Sequence, residues 1–194
     1  MKIDVVLVGV GGQGVLTIAE LLLGCAFEIG LPATYCPTKG MAQRGGFVKA
    51  EMRLGRDGVG PRIAEGEADL VVAMERSEGL GGLASLRPDG VFLLYDHVWE
   101  PTGVMLGADA YPTREQALAA VEAVTSHVVL LDPAELAADE EARPNVLVLG
   151  AMIGRTPLGE LLPSESVEAV LEARWPRAAE ANLRAFRLGV GSRE

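Results

Sequence analysis

Apolar residues in this chain come in short unbroken runs that alternate with longer stretches of helical spacing. Ile3 to Val8 reads I-D-V-V-L-V, a nearly continuous β-branched run that suits a strand covered on both faces, and glycines end it at once. From Gly12 to Ile29 apolar side chains occupy most of a helical wheel, interrupted by Gln13, Thr17, Glu20 and Glu28. Such a helix needs cover on more than one side, and Gly30 is placed to stop it. A second short strand is expected at Ala33 to Cys36, followed by a polar, glycine-bearing stretch from Pro37 to Gly46. Phe47 to Leu54 alternates, with Phe47, Lys49, Glu51 and Arg53 against Val48, Ala50, Met52 and Leu54, which predicts a half-exposed strand. Gly55 to Pro61 reads as a turn.

Two more buried strands are predicted at Ala68–Met74 and Val91–Tyr95, with R-P-D-G at Arg87 to Gly90 as the turn that closes the segment between them. A weaker strand is expected at Val104–Tyr111, a helix at Arg114–Val124 and a strand at Val128–Leu131, after which Asp132-Pro133 opens a helix with Asp as its cap. Asn145 to Gly154 is assigned to a helix on the strength of its Asn cap. Two helical stretches close the chain, one starting near Ser164 and one opened by Pro176 and running to about Leu188. Strands alternating with helices give an α/β fold, a three-layer α/β/α arrangement around a mainly parallel sheet that leaves room for mixed pairing. No repeat or long linker divides it, so the 194 residues are expected to form a single domain.

Charge and cysteine content narrow the chemistry. With 17 Lys and Arg against 27 Asp and Glu, a net charge of −10 disfavours a nucleic-acid partner. No apolar run reaches the roughly 18 to 20 residues of a membrane span, and the opening residues lead directly into a strand instead of a cleavable leader, so a cytoplasmic location is the simplest expectation. An iron–sulfur cluster of ordinary ligation needs about four thiolates. Cys25 and Cys36 are the two cysteines, and Cys25 falls within an apolar helix pattern, as a small buried thiol does.

Gly9-Val10-Gly11-Gly12-Gln13-Gly14 fits G-x-G-x-x-G between a strand and a helix. In that position glycines let the backbone turn tightly and approach a phosphate, while the helix start attracts negative charge; equally, the glycines serve to let strand and helix pack closely. An NAD site would place a carboxylate about 20 residues beyond the glycines. Tyr35-Cys36-Pro37-Thr38-Lys39 occupies that place, so NAD is disfavoured, while Lys39 suits the 2′-phosphate of NADP or another phosphate. Lys39, Arg44 and Lys49 form a local basic patch beside the glycines if the first two strands are neighbours, and Gln43-Arg44-Gly45-Gly46 has the composition of a binding loop. His97 and His127 are weaker candidates: Asp96 and His97, adjacent in extended chain, point to opposite faces, and His127 suits a surface or capping role.

The combination of G-V-G-G-Q-G-V-L at Gly9–Leu16 with G-M-A-Q-R-G-G at Gly40–Gly46 and the strand after it closely resembles the gamma domain of the 2-oxoacid:ferredoxin oxidoreductases. Within that family it is most similar to the small (beta) subunit of the indolepyruvate enzymes, and Asn182 to Gly189 is similar to the family's closing N-x-x-A-F-x-x-G helix. Cys36-Pro37-Thr38-Lys39 departs from the acid-and-histidine run of close relatives. The resemblance implies a non-catalytic, metal-free subunit, inactive alone, of an enzyme that oxidatively decarboxylates a 2-oxoacid, such as indolepyruvate or another arylpyruvate, to its acyl-coenzyme A. Thiamine diphosphate and iron–sulfur clusters would lie on partner subunits, with ferredoxin an indirect partner; separately, the nearly all-apolar helix after the glycine loop offers a surface either to partner chains or to a second copy of the chain. The resemblance also implies coenzyme A as the ligand of Gly9, Gly11, Gly12, Gln13, Gly14, Lys39, Gly40, Met41, Gln43, Arg44, Gly45 and Gly46. The competing reading is a free-standing NADP- or flavin-binding α/β protein, which would need a hydride-transfer site of its own.

Overall fold

Every residue of the first strand, β1 (Ile3–Val10), is buried, and the molecule is arranged around it. The computed structural model describes residues 1–40, 46–100, 102–107, 110–136 and 143–191. After β1 come α1 (Val15–Glu28), β2 (Ala33–Lys39), β3 (Phe47–Leu54), β4 (Ala68–Ala73), α2 (Arg76–Gly82), β5 (Leu86–Tyr95), α3 (Thr102–Met105), α4 (Arg114–Glu122), β6 (Val128–Leu131), α5 (Pro144–Arg155), α6 (Ser164–Arg174) and α7 (Ala179–Val190). The strands form one six-stranded sheet in the order β2-β3-β1-β4-β5-β6. β1–β4, β4–β5 and β5–β6 are parallel, whereas β1–β3 and β2–β3 are antiparallel, so the sheet is mixed and changes direction at β1.

The alternation of β1 builds two cores. Ile3, Val5 and Leu7 face a thick layer in which α1, α5, α6 and α7 contribute residues such as Ile18, Leu149, Leu171 and Phe186. Val6 and Val8 face a thinner layer with Ile63, Phe92, Leu94 and Val121 of α4. The near-absence of polar positions on α1 follows from its place, since it packs on the sheet and on α5 and α6 together. α5 and α7 approach backbone to backbone: a Cβ on Gly150 would stand 2.0 Å from the Phe186 carbonyl oxygen, and one on Gly189 2.0 Å from that of Leu147.

Several local expectations are corrected. β2 and β1 are not neighbours, because β3 lies between them. β3 is not half-exposed along its length: Glu51 and Arg53 are buried, at 1% and 9% exposure, because residues 56–63 fold across them. Glu51 accepts from Ile63 N at 3.0 Å, and Arg53 donates to Asp4 Oδ2 at 2.8 Å and to the Arg62 carbonyl at 2.6 Å. The R-P-D-G sequence is no turn between elements but an irregular start to β5, with Asp89 at φ 62° and a register shift against β4 between Ala68 and Leu70. Among the described residues of 104–111 there is no strand; Met105, which ends the short α3, and Leu106 after it have 65% and 78% of their surface exposed, with β6 already pairing the edge of β5. α5 does form, but Pro144 opens it and Asn145 sits inside its first turn instead of capping it.

Candidate functional site

At the carboxyl end of β1 the chain turns through Gly11 to Gly14 into α1. Gly12 and Gly14 hold φ values of 108° and 83°, a region that side chains rarely adopt, and Gly9 lets Gln13, Val15 and Met74 close on the strand end. Gln13 pins this arch: its Oε1 accepts from Val10 N at 2.9 Å and its Nε2 donates to the Met74 carbonyl at 2.7 Å. The first bond of α1 runs from Ile18 N to the Gly14 carbonyl, at 3.0 Å, which leaves the N–H groups of Val15, Leu16 and Thr17 without an intrahelical acceptor. α1 starts at a glycine with no side-chain cap and no acid in its first turn, so its positive end stands uncompensated.

The two glycine-rich motifs meet. Gly11 N donates to the Gly46 carbonyl at 2.8 Å, and Gly40 N to the Phe47 carbonyl at 2.8 Å, so both ends of the second motif clasp the mouth of the β2–β3 hairpin beside the arch. Between them opens a cleft of about 510 Å³ lined by Gly11, Gly12, Gly14, Thr17, Lys39 and Gly40, with Val10, Val15, Leu16 and Val48 as its apolar wall. Of the candidate residues, Gly9, Gly11, Gly12, Gln13, Gly14, Lys39, Gly40 and Gly46 are thus brought to one end of the sheet. Met41, Gln43, Arg44 and Gly45 lie outside the described residues. Lys49 does not join the basic patch. Lys39 pairs with Val48 across the hairpin and shares its face, whereas Lys49 pairs with Thr38, faces the other way and meets Glu51 at 3.4 Å.

A second cleft, of about 390 Å³, opens on the other side of the arch. Gly12, Gln13, Gly14 and Thr17 line it again, now opposite Met74, Tyr95, His97, Arg143, Pro144 and Asn145. His97 stacks on Tyr95 with ring centroids 6.1 Å apart, and the Arg143 guanidinium lies 4.7 Å above the Trp175 ring. Asp96 turns away from His97: its carboxylate, 1% exposed, receives Arg76 Nε at 2.6 Å and Nη2 at 2.9 Å, together with Arg114 Nε. Burial pushes the Asp96 carboxyl up, but the hydrogen bonds and charges of Arg76 and Arg114 outweigh that and hold it below its ordinary value. Cys25 is buried in α1, and burial pushes its thiol up to about 12. Sequence reading missed Thr17, Tyr95, Arg143 and Asn145 as cleft residues, because no spacing connects positions 17, 95 and 143.

The model of the family described as pyruvate ferredoxin/flavodoxin oxidoreductase matches residues 4–192. The indolepyruvate oxidoreductase subunit IorB of Archaeoglobus fulgidus is 34% identical over 194 residues, covering 97% of this chain and 94% of that protein. Among solved structures, the pyruvate oxidoreductase subunit PORC of Thermotoga maritima superposes with a TM-score of 0.69 at 23% identity, covering 97% of this chain and 95% of that one. The 2-oxoglutarate:ferredoxin oxidoreductase of Magnetococcus marinus, solved with 2-oxoglutarate, coenzyme A and succinyl-CoA bound, shares the fold at a TM-score of 0.66 and 16% identity, over 97% of this chain and 30% of that one.

Proposed function

From the premise that the chain belongs to the pyruvate ferredoxin/flavodoxin oxidoreductase family and is a subunit of a 2-oxoacid:ferredoxin oxidoreductase, we propose that its share of the reaction is to hold coenzyme A. On this reading residues 1–194 act as one gamma-type domain, inactive alone. The 2-oxoacid is indolepyruvate or another arylpyruvate, a choice supported by the similarity to IorB. Decarboxylation and electron transfer run on thiamine diphosphate and iron–sulfur clusters carried by partner chains, for which two cysteines, one of them buried with a raised pKa, offer no ligand set here.

The observation that carries the coenzyme A reading is the joining of the arch to the hairpin through Gly11 and Gly46, which sets the free N–H groups of α1 and the Lys39 ammonium around one cleft. A nucleotide diphosphate offers the negative charge that this cleft lacks. The coenzyme A held by the Magnetococcus enzyme, which shares the fold, supports the same choice. Phe27, 83% exposed beside an apolar groove formed with Leu23, Val170 and Ala173, supports burial of this face in a larger assembly.

The test uses the assembled enzyme. Charge-assisted contacts contribute about 1.5 to 3 kcal/mol each, so Lys39→Ala and Arg44→Ala are each expected to raise the KM for coenzyme A about ten-fold or more. Decarboxylation of the 2-oxoacid in the absence of coenzyme A should stay near the parent rate. An unchanged coenzyme A dependence in both variants overturns the reading.

A further inference from the structure

We propose that the second cleft, between the arch and the start of α5, is an oxyanion site distinct from the one beside Lys39. Two helices of 14 and 12 residues, α1 and α5, begin at its walls, and neither has a side-chain cap or an acid in its first turn. Their positive ends therefore converge on one space. The side chain of Asn145 adds a donor to that space. Asn145 is 8% exposed overall and lines this cleft, and its side-chain amide makes no hydrogen bond to another described residue. Its NH2 group stands against Gly14 at the cleft wall, where an oxyanion at the α1 and α5 termini accepts from it.

Arg143 completes the set. Its guanidinium lies on the Trp175 ring and is paired with no carboxylate among the described residues, and no Asp or Glu is among the residues that line the cleft. In a chain of net charge −10 that is a local exception. Thr17 adds a hydroxyl and the stacked His97 ring forms the facing wall. Lys39 lines only the first cleft and Arg143 only the second, so the two can be tested apart. The recognised chemistry is a compact oxyanion, supplied either by a phosphate group or by the carboxylate of a 2-oxoacid.

The full chain, isotope-labelled, is titrated with inorganic phosphate and separately with pyruvate, and the Asn145 side-chain amide and the Gly14 backbone amide are followed by NMR. A saturable shift of both signals with at least one of the two anions is expected; phosphate alone identifies a phosphoryl site and pyruvate alone a carboxylate site. The Kd should rise about ten-fold or more in Arg143→Ala, recover in part in Arg143→Lys, and stay unchanged in Lys39→Ala. Absence of saturation with both anions, or equal affinity in Arg143→Ala and the parent, overturns the proposal. Loss of binding in Lys39→Ala overturns it too, by showing that the two clefts are one site. Because the readout is a bound ion and not coenzyme A dependence, it stands or falls independently of the function proposed for the first cleft.

Discussion

Gly14 stands directly against Asn145: a Cβ on Gly14 would fall 2.4 Å from the Asn145 amide nitrogen. The turn into α1 and the first turn of α5 are therefore one packed unit, although the two residues are 131 positions apart in the chain. Gly14 also holds a φ of 83°. Gly14→Ala is expected to cost about 1 to 3 kcal/mol from the left-handed backbone and the displaced amide together. Urea denaturation of the full chain measures the loss, and a variant as stable as the parent would show that the arch relaxes freely.

Gln13 is expected to act through the backbone it holds. Its side chain spans from Val10 N to the Met74 carbonyl, joining the ends of two parallel strands to the arch. Gln13→Ala leaves a partly buried donor and acceptor unpaired, a change worth about 1 to 3 kcal/mol. Hydrogen exchange at the Val10 amide should quicken more than at Leu7 or Val8 in the same strand. Uniform acceleration along β1 would mean that the clip has no local role.

Asp96 ties the carboxyl end of β5 to α2 and α4 through Arg76 and Arg114. Removing one partner of a buried pair costs about 3 to 5 kcal/mol, which is the expectation for Asp96→Asn at pH 7. The carboxyl is held below its ordinary 3.8, so its contribution is complete above that value and is lost as pH falls through the lower folded value. The gap between parent and variant should therefore narrow progressively below about pH 4. Chemical denaturation at neutral and acid pH checks the sign; a gap that widened in acid would contradict the assignment of Asp96 as the charged member.

The elements most legible in the sequence are those whose signal is local. Phe47–Leu54 and Val128–Leu131 are strands at their expected limits because a period of two and a β-branched run speak for themselves. The glycine arch was legible for the same reason, since only glycine is at ease at the φ values of positions 12 and 14. What escaped reading depends on pairing between distant segments. Insertion of β3 between β1 and β2 is a choice of partners that no window reveals, and it sends Lys49 to the opposite face from Lys39. Burial of Glu51 and Arg53 rests on residues 56–63 crossing them, with ion pairs replacing water. The second cleft draws on the ends of β4 and β5 and the start of α5, and Asn145, read as a cap, becomes meaningful only against Gly14.

The contact between α5 and α7 offers a test in which two effects oppose each other. Gly150 and Gly189 both lie inside helices, where replacement by alanine favours the helix by about 1 kcal/mol. Each also faces backbone: a Cβ at Gly150 would meet the Phe186 carbonyl oxygen at 2.0 Å, and one at Gly189 that of Leu147 at 2.0 Å. Neither neighbour is the flexible end of a side chain, so the helices must move apart, and overpacking of this kind costs about 1 to 3 kcal/mol or more. Gly150→Ala and Gly189→Ala are therefore expected to destabilise the chain despite the better helix former. Gly24→Ala is the control, since its added Cβ meets only Val170 at 3.5 Å in ordinary contact, and there the helix preference should prevail. Thermal denaturation of the three variants settles the order: a Gly150→Ala melting temperature at or above that of Gly24→Ala would mean that α5 and α7 are not locked backbone to backbone.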